Sequence, residues 1–154
     1  FFGFRKTMLR RLPAMRLRVD SKLIRRMSTH LKYLHEIPDG EACSVEVESK
    51  LLPPSIFAGK RRKKANEGVS ASIILARKAD NVYGYLNRCP HMRLPLEWFP
   101  DKFMSVDGLN LQCATHGALF DVETGVCIHG PCIGKALSPV EVSVGENGEV
   151  LLPN

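Results

Sequence analysis

The chain has 154 residues, 44% of them hydrophobic, and no internal repeat, so one domain plus a tail is expected. Residues 1–26 hold nine Lys or Arg against one acidic residue; subtracting that +8 from the net charge of +6 leaves −2 for residues 27–154, which gives no electrostatic reason to bind nucleic acid. The longest apolar stretches, such as residues 73–76, fall far short of the roughly 20 residues that cross a bilayer, so no membrane span is predicted.

The N-terminal segment differs in composition from the rest of the chain. It is rich in Arg and poor in acidic residues, as organelle transit peptides are. Met27 would make a natural start at the point where the composition becomes ordinary. We therefore predict a basic extension over 1–26, either transit-like or not part of the mature protein, and one domain over 27–154. A cytoplasmic location is expected, or an organelle matrix if the extension is a transit peptide.

From residue 31 onward, short apolar runs alternate with turn residues, which is typical of an all-β protein. Turn residues at 123–125 and 146–148 predict two further short hairpins. Residues 48–68 contain prolines, glycine and five consecutive basic residues at 60–64, so an exposed connection is expected there. The predicted strands cover residues 31–37, 42–47, 70–77, 82–87, 103–106 and 109–112.

Two short clusters of Cys and His follow predicted strands. Cys89-Pro90-His91 follows the strand that ends at residue 87, and Cys113-Ala114-Thr115-His116 follows the one that ends at 112. Because two hairpin tips can meet, we expect the clusters to share one inorganic site. Thiolate and imidazole ligands suit iron–sulfur centres or zinc and argue against Ca or Mg, which prefer oxygen. The ligand types alone leave iron and zinc open.

The two clusters resemble the two cluster-binding boxes of Rieske proteins. The second box reads Cys113-Ala114-Thr115-His116-Gly117-Ala118-Leu119-Phe120, and the resemblance covers about residues 31–152. It implies an all-β fold, the Rieske-type antiparallel β-sandwich with two cluster-binding hairpin loops. It also implies one 2Fe-2S cluster, with two cysteines on one iron and two histidines on the other. The implied ligands are Cys89, His91, Cys113 and His116.

Respiratory-chain Rieske proteins carry a further cysteine in each box, and these form a disulfide beside the cluster. Leu94 and Thr115 occupy those places here, so the chain resembles the ferredoxin and oxygenase-type domains instead. Replacing two thiolates by neutral imidazoles takes the oxidised cluster from a formal charge of about −2 to about 0. We predict a potential toward the low end of the Rieske range, which spans roughly −150 to +300 mV.

Three features near the boxes carry further expectations. Arg93 stands where the family usually has Gly; it either tolerates a positive φ at a cost of roughly 1–2 kcal/mol or provides a docking charge. Gly130-Pro131 resembles the loop that covers the cluster. Cys127 and Cys132 flank that loop and are expected to be buried packing residues, with a labile disulfide or a redox-sensing pair as alternatives.

Four other residues are expected to serve packing. Cys43, in an early strand, is expected to be a buried core residue. Trp98, Phe99 and Phe103 are expected to cap the core rather than bind a substrate.

The predicted function is single-electron transfer by a small Rieske ferredoxin-like carrier or electron-transfer subunit, with a reductase as donor and an oxidoreductase as acceptor. After His116 only 38 residues remain, too few for the mononuclear iron domain of an oxygenase. No catalytic residue is therefore predicted, and the chain is not expected to be an enzyme. A structural zinc module or a cluster-based redox sensor are the alternatives. The oligomeric state stays open.

Overall fold

The computed structural model describes residues 28–57 and 69–153. Within these ranges the helical elements are 3-10 turns of three or four residues, and none is long and apolar enough to cross a membrane. The all-β prediction is therefore confirmed. The predicted extension over 1–26 and the basic run at 60–64 lie outside the described residues.

In the described ranges, ten antiparallel strands form three sheets, with the strand orders β1-β10-β9, β2-β3-β4-β8 and β5-β6-β7. The strands are β1 (Ser28–Tyr33), β2 (Ala42–Glu48), β3 (Ser70–Lys78), β4 (Asn81–Leu86), β5 (Asn110–Gln112), β6 (Leu119–Asp121), β7 (Cys127–His129), β8 (Pro139–Val140), β9 (Ser143–Val144) and β10 (Glu149–Pro153). The 3-10 turns are Leu34–Glu36, Ser49–Leu51 and Pro54–Phe57.

Strand β3 separates two hydrophobic cores. Its residues 73–76 are all fully buried because successive side chains point to opposite faces, and both faces are covered. One face contributes to the aliphatic core, which consists of Ile37, Cys43, Val47, Leu52, Ile73, Leu75, Val82, Leu86, Val140, Val150 and Leu152. The other contributes to the site-side core, which consists of Ala42, Ile74, Ala76, Tyr85, Cys89, Leu96, Phe103, Leu111, Cys113, Ala118, Phe120, Val122, Cys127, Cys132 and Leu137.

Most predicted strands are found. The strand at 42–47, the hairpin of β3 and β4, and the hairpins turning at 123–125 and 146–148 are all confirmed.

The first predicted strand, 31–37, ends earlier than expected. Strand β1 stops at Tyr33, whose backbone N–H donates to a carboxylate oxygen of Glu36 at 2.6 Å. Leu34 donates its N–H to the carbonyl of Gly148 at 2.7 Å. These bonds turn the chain into a short 3-10 turn instead of extending the strand.

The prediction of a strand over 103–106 is wrong. The segment forms only an isolated bridge of Met104 with Leu111, with one backbone hydrogen bond on either side, from the N–H of Ser105 to the carbonyl of Asn110 and from the N–H of Gln112 to the carbonyl of Phe103. The reason is a turn: the carboxylate of Asp107 accepts hydrogen bonds from the Ser105 hydroxyl and the Leu109 N–H.

The aromatic residues near the first box divide into buried and exposed. Phe103 is fully buried, as predicted, but Trp98 and Phe99 are 68% and 71% exposed and do not cap the core. Leu96 and Phe103 fill the neighbouring core positions, and the residues between them turn along the surface.

Candidate metal centre

The first box lies on the loop that leaves β4, as predicted. The backbone N–H of Cys89 donates to the carbonyl of Leu94, and the N–H of Arg93 donates to the carbonyl of Cys89, both at 2.8 Å. Arg93 has a φ of 61°, in the left-handed region. The two bonds close a tight loop that holds the Cys89 thiol inside the protein.

The second box, after β5, repeats this geometry. The N–H of Cys113 donates to the carbonyl of Ala118, and the N–H of Gly117 donates to the carbonyl of Cys113, both at 2.9 Å. Gly117 has a φ of 68°. The bonds span the same numbers of residues as in the first box, so Arg93 occupies the position equivalent to Gly117. The first loop therefore requires a positive φ, and Arg93 adopts it.

The two boxes face each other. The thiols of Cys89 and Cys113 are both free and only 2% exposed, and they lie close together. Burial raises the pKa of Cys89, and the nearby Cys113 thiol raises it further. The His91 and His116 rings lie 4.9 Å apart, edge to face. Thiol is thus paired with thiol, and imidazole with imidazole.

These residues fit a 2Fe-2S cluster. Nδ1 of His91 is buried and has no hydrogen-bond partner, and leaving such a group unsatisfied costs roughly 1–3 kcal/mol. A metal bond at Nδ1 would remove this cost. Among the described residues, no group of three or more His, Cys, Asp or Glu is placed to hold a single metal ion. A binuclear cluster does not require one, because each iron takes only two protein ligands.

Asn87 supports the first box from the end of β4. Its side-chain oxygen accepts the N–H of Leu96 at 3.0 Å, and its amide nitrogen donates to the Glu97 carboxylate at 2.9 Å. The carbonyl of Leu96 in turn accepts the N–H of Ala114 at 2.7 Å, which links the two boxes. Sequence reasoning missed Asn87, whose only signal is a polar residue two positions before the box.

The segment around Gly130-Pro131 packs on the second box. Gly130 has a φ of 100°, and a Cβ at this position would lie 2.8 Å from the Cα of Ala118. Only glycine allows so close an approach. This contact agrees with the predicted role of the segment as the covering loop.

Cys127 and Cys132 are buried and free, as packing residues would be. Their sulfurs lie 3.3 Å apart. Burial raises the pKa of Cys132 to about 12, and the neighbouring thiols of Cys127 and Cys89 add to the rise. Cys132 therefore also lies beside a residue of the first box, which no sequence spacing indicated.

The fold and the site define a small β-sheet domain that presents two equivalent Cys–His loops to one centre. A family model described as Rieske [2Fe-2S] domain matches residues 33–144. The chain belongs to this family, and its cofactor is one 2Fe-2S cluster.

Solved structures with the same fold include two ferredoxins and one oxygenase. The ferredoxin of carbazole 1,9a-dioxygenase from Nocardioides aromaticivorans IC177 is 19% identical, with a TM-score of 0.54 over 83% of this chain and 99% of that one. The Sphingomonas yanoikuyae B1 ferredoxin is 20% identical, with a TM-score of 0.54 over 82% and 98%. The terminal oxygenase of carbazole 1,9a-dioxygenase from N. aromaticivorans IC177 is 16% identical, with a TM-score of 0.56 over 82% of this chain and 30% of that one. No curated protein sequence matches the chain.

Proposed function

We infer that the chain is a small carrier that accepts single electrons from one redox protein and delivers them to another. The observation that supports this most directly is the meeting of two equivalent loops, which bring two buried thiols and two imidazoles to one centre. A bound 2Fe-2S cluster supplies reversible one-electron oxidation and reduction. No catalytic residue is needed for this function, so the chain is a carrier rather than an enzyme.

The four ligands that we propose are Cys89 and Cys113 on one iron and His91 and His116 on the other. The two cysteines are buried and exclude water from their side of the centre. His91 offers its buried Nδ1, and His116 is exposed to solvent. The histidine side is therefore where the centre comes nearest to a docked partner, and electrons enter and leave there.

We propose a reductase as electron donor and an oxidoreductase as acceptor. One structure similar to this chain is a complex of reduced oxygenase and oxidised ferredoxin in carbazole 1,9a-dioxygenase, and it supports an acceptor of the oxygenase kind. We place the protein in the cytoplasm, or in an organelle matrix if residues 1–26 act as a transit peptide. All five cysteines are free, which fits a reducing compartment.

We propose that the Rieske domain spans residues 27–154, with residues 1–26 as a separate basic extension. The family match begins at residue 33, and the first described strand begins at Ser28 and pairs with the last strand, β10. These two strands hold both ends of the domain together.

A potentiometric titration followed by visible absorption tests the carrier function. We expect one reversible one-electron transition. Two neutral imidazoles in place of two thiolates put its midpoint potential in the Rieske range of roughly −150 to +300 mV, and because no disulfide lies beside the site we expect the lower part of that range. A midpoint above about +200 mV would overturn the ferredoxin-type assignment. A protein with no reversible transition would overturn the carrier function itself.

A further inference from the structure

Two aromatic side chains face solvent on a turn that belongs to neither box nor to the covering loop. Trp98 and Phe99 are both largely exposed. Exposed apolar patches on a folded protein mark surfaces that bind other molecules, because water contact with apolar groups is unfavourable. Met92 and Leu94, on the first-box loop, are exposed as well. Apolar side chains therefore face solvent on both sides of the buried residue Leu96.

The turn that carries the two aromatic residues is strained. The backbone N–H of Lys102 donates to the carbonyl of Phe99 at 3.2 Å, which closes a β-turn. Its central residues are Pro100 and Asp101. Pro followed by a positive φ is the pattern of a type II turn, in which glycine usually supplies that φ. Asp101 adopts a φ of 59° instead, and such strain persists only where the surrounding structure holds it.

Hydrogen bonds to the β2-β3-β4-β8 sheet hold this turn on both sides. The carboxylate of Asp101 accepts the backbone N–H of Ser44, in β2, at 2.7 Å and its hydroxyl at 3.3 Å. The carboxylate of Glu97 accepts the side-chain amide of Asn87, directly after β4, at 2.9 Å. The turn is therefore ordered before a partner arrives, and a partner that covers Trp98 loses little free energy in ordering it.

The aromatic turn lies next to the second box. The carbonyl of Leu96 accepts the N–H of Ala114 at 2.7 Å. Trp98 follows Leu96 by two residues, and His116 follows Ala114 by two residues. Two residues span at most about 7 Å of chain. A protein docked on Trp98 therefore reaches the histidine side of the centre, where we propose that electrons enter and leave.

The charges on the turn indicate what kind of surface would bind it. The carboxylates of Glu97 and Asp101 are already hydrogen-bonded within the chain. Lys102 is exposed and forms no ion pair with any residue that the structure describes. An indole and a phenyl ring fit an apolar recess, and a free ammonium group fits a carboxylate at its rim. The position beside the second box favours a redox protein over a lipid surface.

We propose that Trp98 and Phe99 are the docking residues for a redox protein that presents an apolar recess with a carboxylate at its rim. This inference rests on the proposed function and adds the surface and the chemistry of the partner. The two rings enter the recess, and Lys102 pairs with the carboxylate. Buried aromatic anchors of this kind contribute most of the binding energy in many protein interfaces.

Photo-crosslinking identifies the partner. The iron-loaded chain with Trp98→p-benzoylphenylalanine, irradiated in a lysate of its source cells, should form an adduct with an oxidoreductase that contains flavin or iron, as identified by mass spectrometry. Val106 is an exposed apolar residue on a separate turn, and the same substitution there should not form this adduct. Equal adducts from both positions would overturn the inference. It would also be overturned by no adduct, or by adducts only with lipid, with a second copy of the chain or with proteins that hold no redox group.

Kinetics with that purified oxidoreductase separate docking from electron transfer. W98A and F99A should each raise the KM for the chain at least about tenfold, while kcat and the midpoint potential stay at the wild-type values. K102E should also raise the KM, by less at high salt, and V106A should leave it unchanged. A wild-type KM in both W98A and F99A would overturn this inference alone. A wild-type chain without a reversible one-electron transition would overturn the proposed function and this inference together.

Discussion

The two cores on opposite faces of the β2-β3-β4-β8 sheet differ in what completes them. The aliphatic core consists of branched aliphatic side chains and one cysteine, Cys43. Removal of this apolar surface from water is sufficient to stabilise it. The site-side core holds four cysteines, and its β5-β6-β7 sheet has strands of only three residues. At its edge, Nδ1 of His91 is buried without a partner. One core is thus complete without a cofactor, whereas the other is arranged around the groups that bind one.

Strand β3 connects the two halves. Ile73 and Leu75 pack into the aliphatic core, while Ile74 and Ala76 pack into the site-side core. The aliphatic half therefore provides a rigid support on which the ligand-bearing loops are placed.

The largest expected effect comes from replacing one cysteine in each core. Cys89→Ala removes a proposed ligand and should reduce bound iron from two atoms per chain to nearly none, with loss of visible absorption. Cys43→Ala, its matched control in the aliphatic core, should keep full iron content. Iron analysis and absorption spectra of the two variants measure this. Equal iron content in both would contradict the ligand assignment.

Truncation of a fully buried aliphatic residue in each core should separate stability from cofactor retention. Ile73→Ala and Leu96→Ala should each cost about 2–5 kcal/mol in the free energy of unfolding, because each leaves a cavity. Only Leu96→Ala should also speed the loss of iron, since the Leu96 side chain packs in the same core as Cys89 and Cys113. Urea unfolding and the rate of bleaching in the presence of a chelator measure the two effects. Equal bleaching rates for Ile73→Ala and Leu96→Ala would contradict the expectation that only the site-side core controls the retention of iron.

Tyr85 links β4 to the β6–β7 hairpin, because its hydroxyl donates to the carbonyl of Val122 at 2.8 Å. Burial raises the pKa of Tyr85 from 10.0 to about 12, so the folded state favours the protonated form. This contribution is complete below pH 10 and is lost as the pH rises to 12, by at most about 2.7 kcal/mol at about 1.36 kcal/mol per pKa unit. Tyr85→Phe should not show this loss of unfolding free energy between pH 10 and pH 12. Unfolding free energies at several pH values measure it; identical curves for the two proteins would refute it.

The smallest expected effect concerns Arg93. Its positive φ costs roughly 1–2 kcal/mol for a residue with a Cβ. Glycine avoids this strain but destabilises the folded state by about 0.5–1 kcal/mol, because it loses more conformational entropy on folding. Arg93→Gly should therefore stabilise the protein by at most about 1.5 kcal/mol. Arg93→Ala keeps the Cβ and should bring no such gain. If thermal unfolding shows equal gains for both, the side chain rather than the backbone is responsible.

Local sequence patterns were sufficient to predict much of this architecture. The β3–β4 hairpin is long, has strongly apolar strands and turns at Ala79-Asp80, and it was predicted almost to its ends. The boxes were predicted because Cys and His stand at short spacing after strands. The strand over 103–106 was wrong because a local turn around Asp107 competes with strand pairing. Trp98 and Phe99 were misplaced because aromatic character alone does not say which side of a loop faces solvent.

Contacts between distant segments could not be predicted in the same way. The approach of Cys132 to Cys89 depends on the packing of the covering loop against Ala118, which joins residues from separate hairpins. A positive φ at Arg93 was one of two alternatives that the sequence offered, and the folded loop shows that Arg93 adopts it.

We propose that the two boxes hold one cluster with mixed thiolate and imidazole ligands. Visible absorption and low-temperature EPR of protein purified anaerobically, recorded before and after dithionite, test it most directly. We expect a brown protein with two irons per chain, silent in EPR when oxidised and with an average g well below 2 when reduced. A colourless protein that contains one zinc per chain would contradict the claim and identify the domain as a structural zinc module.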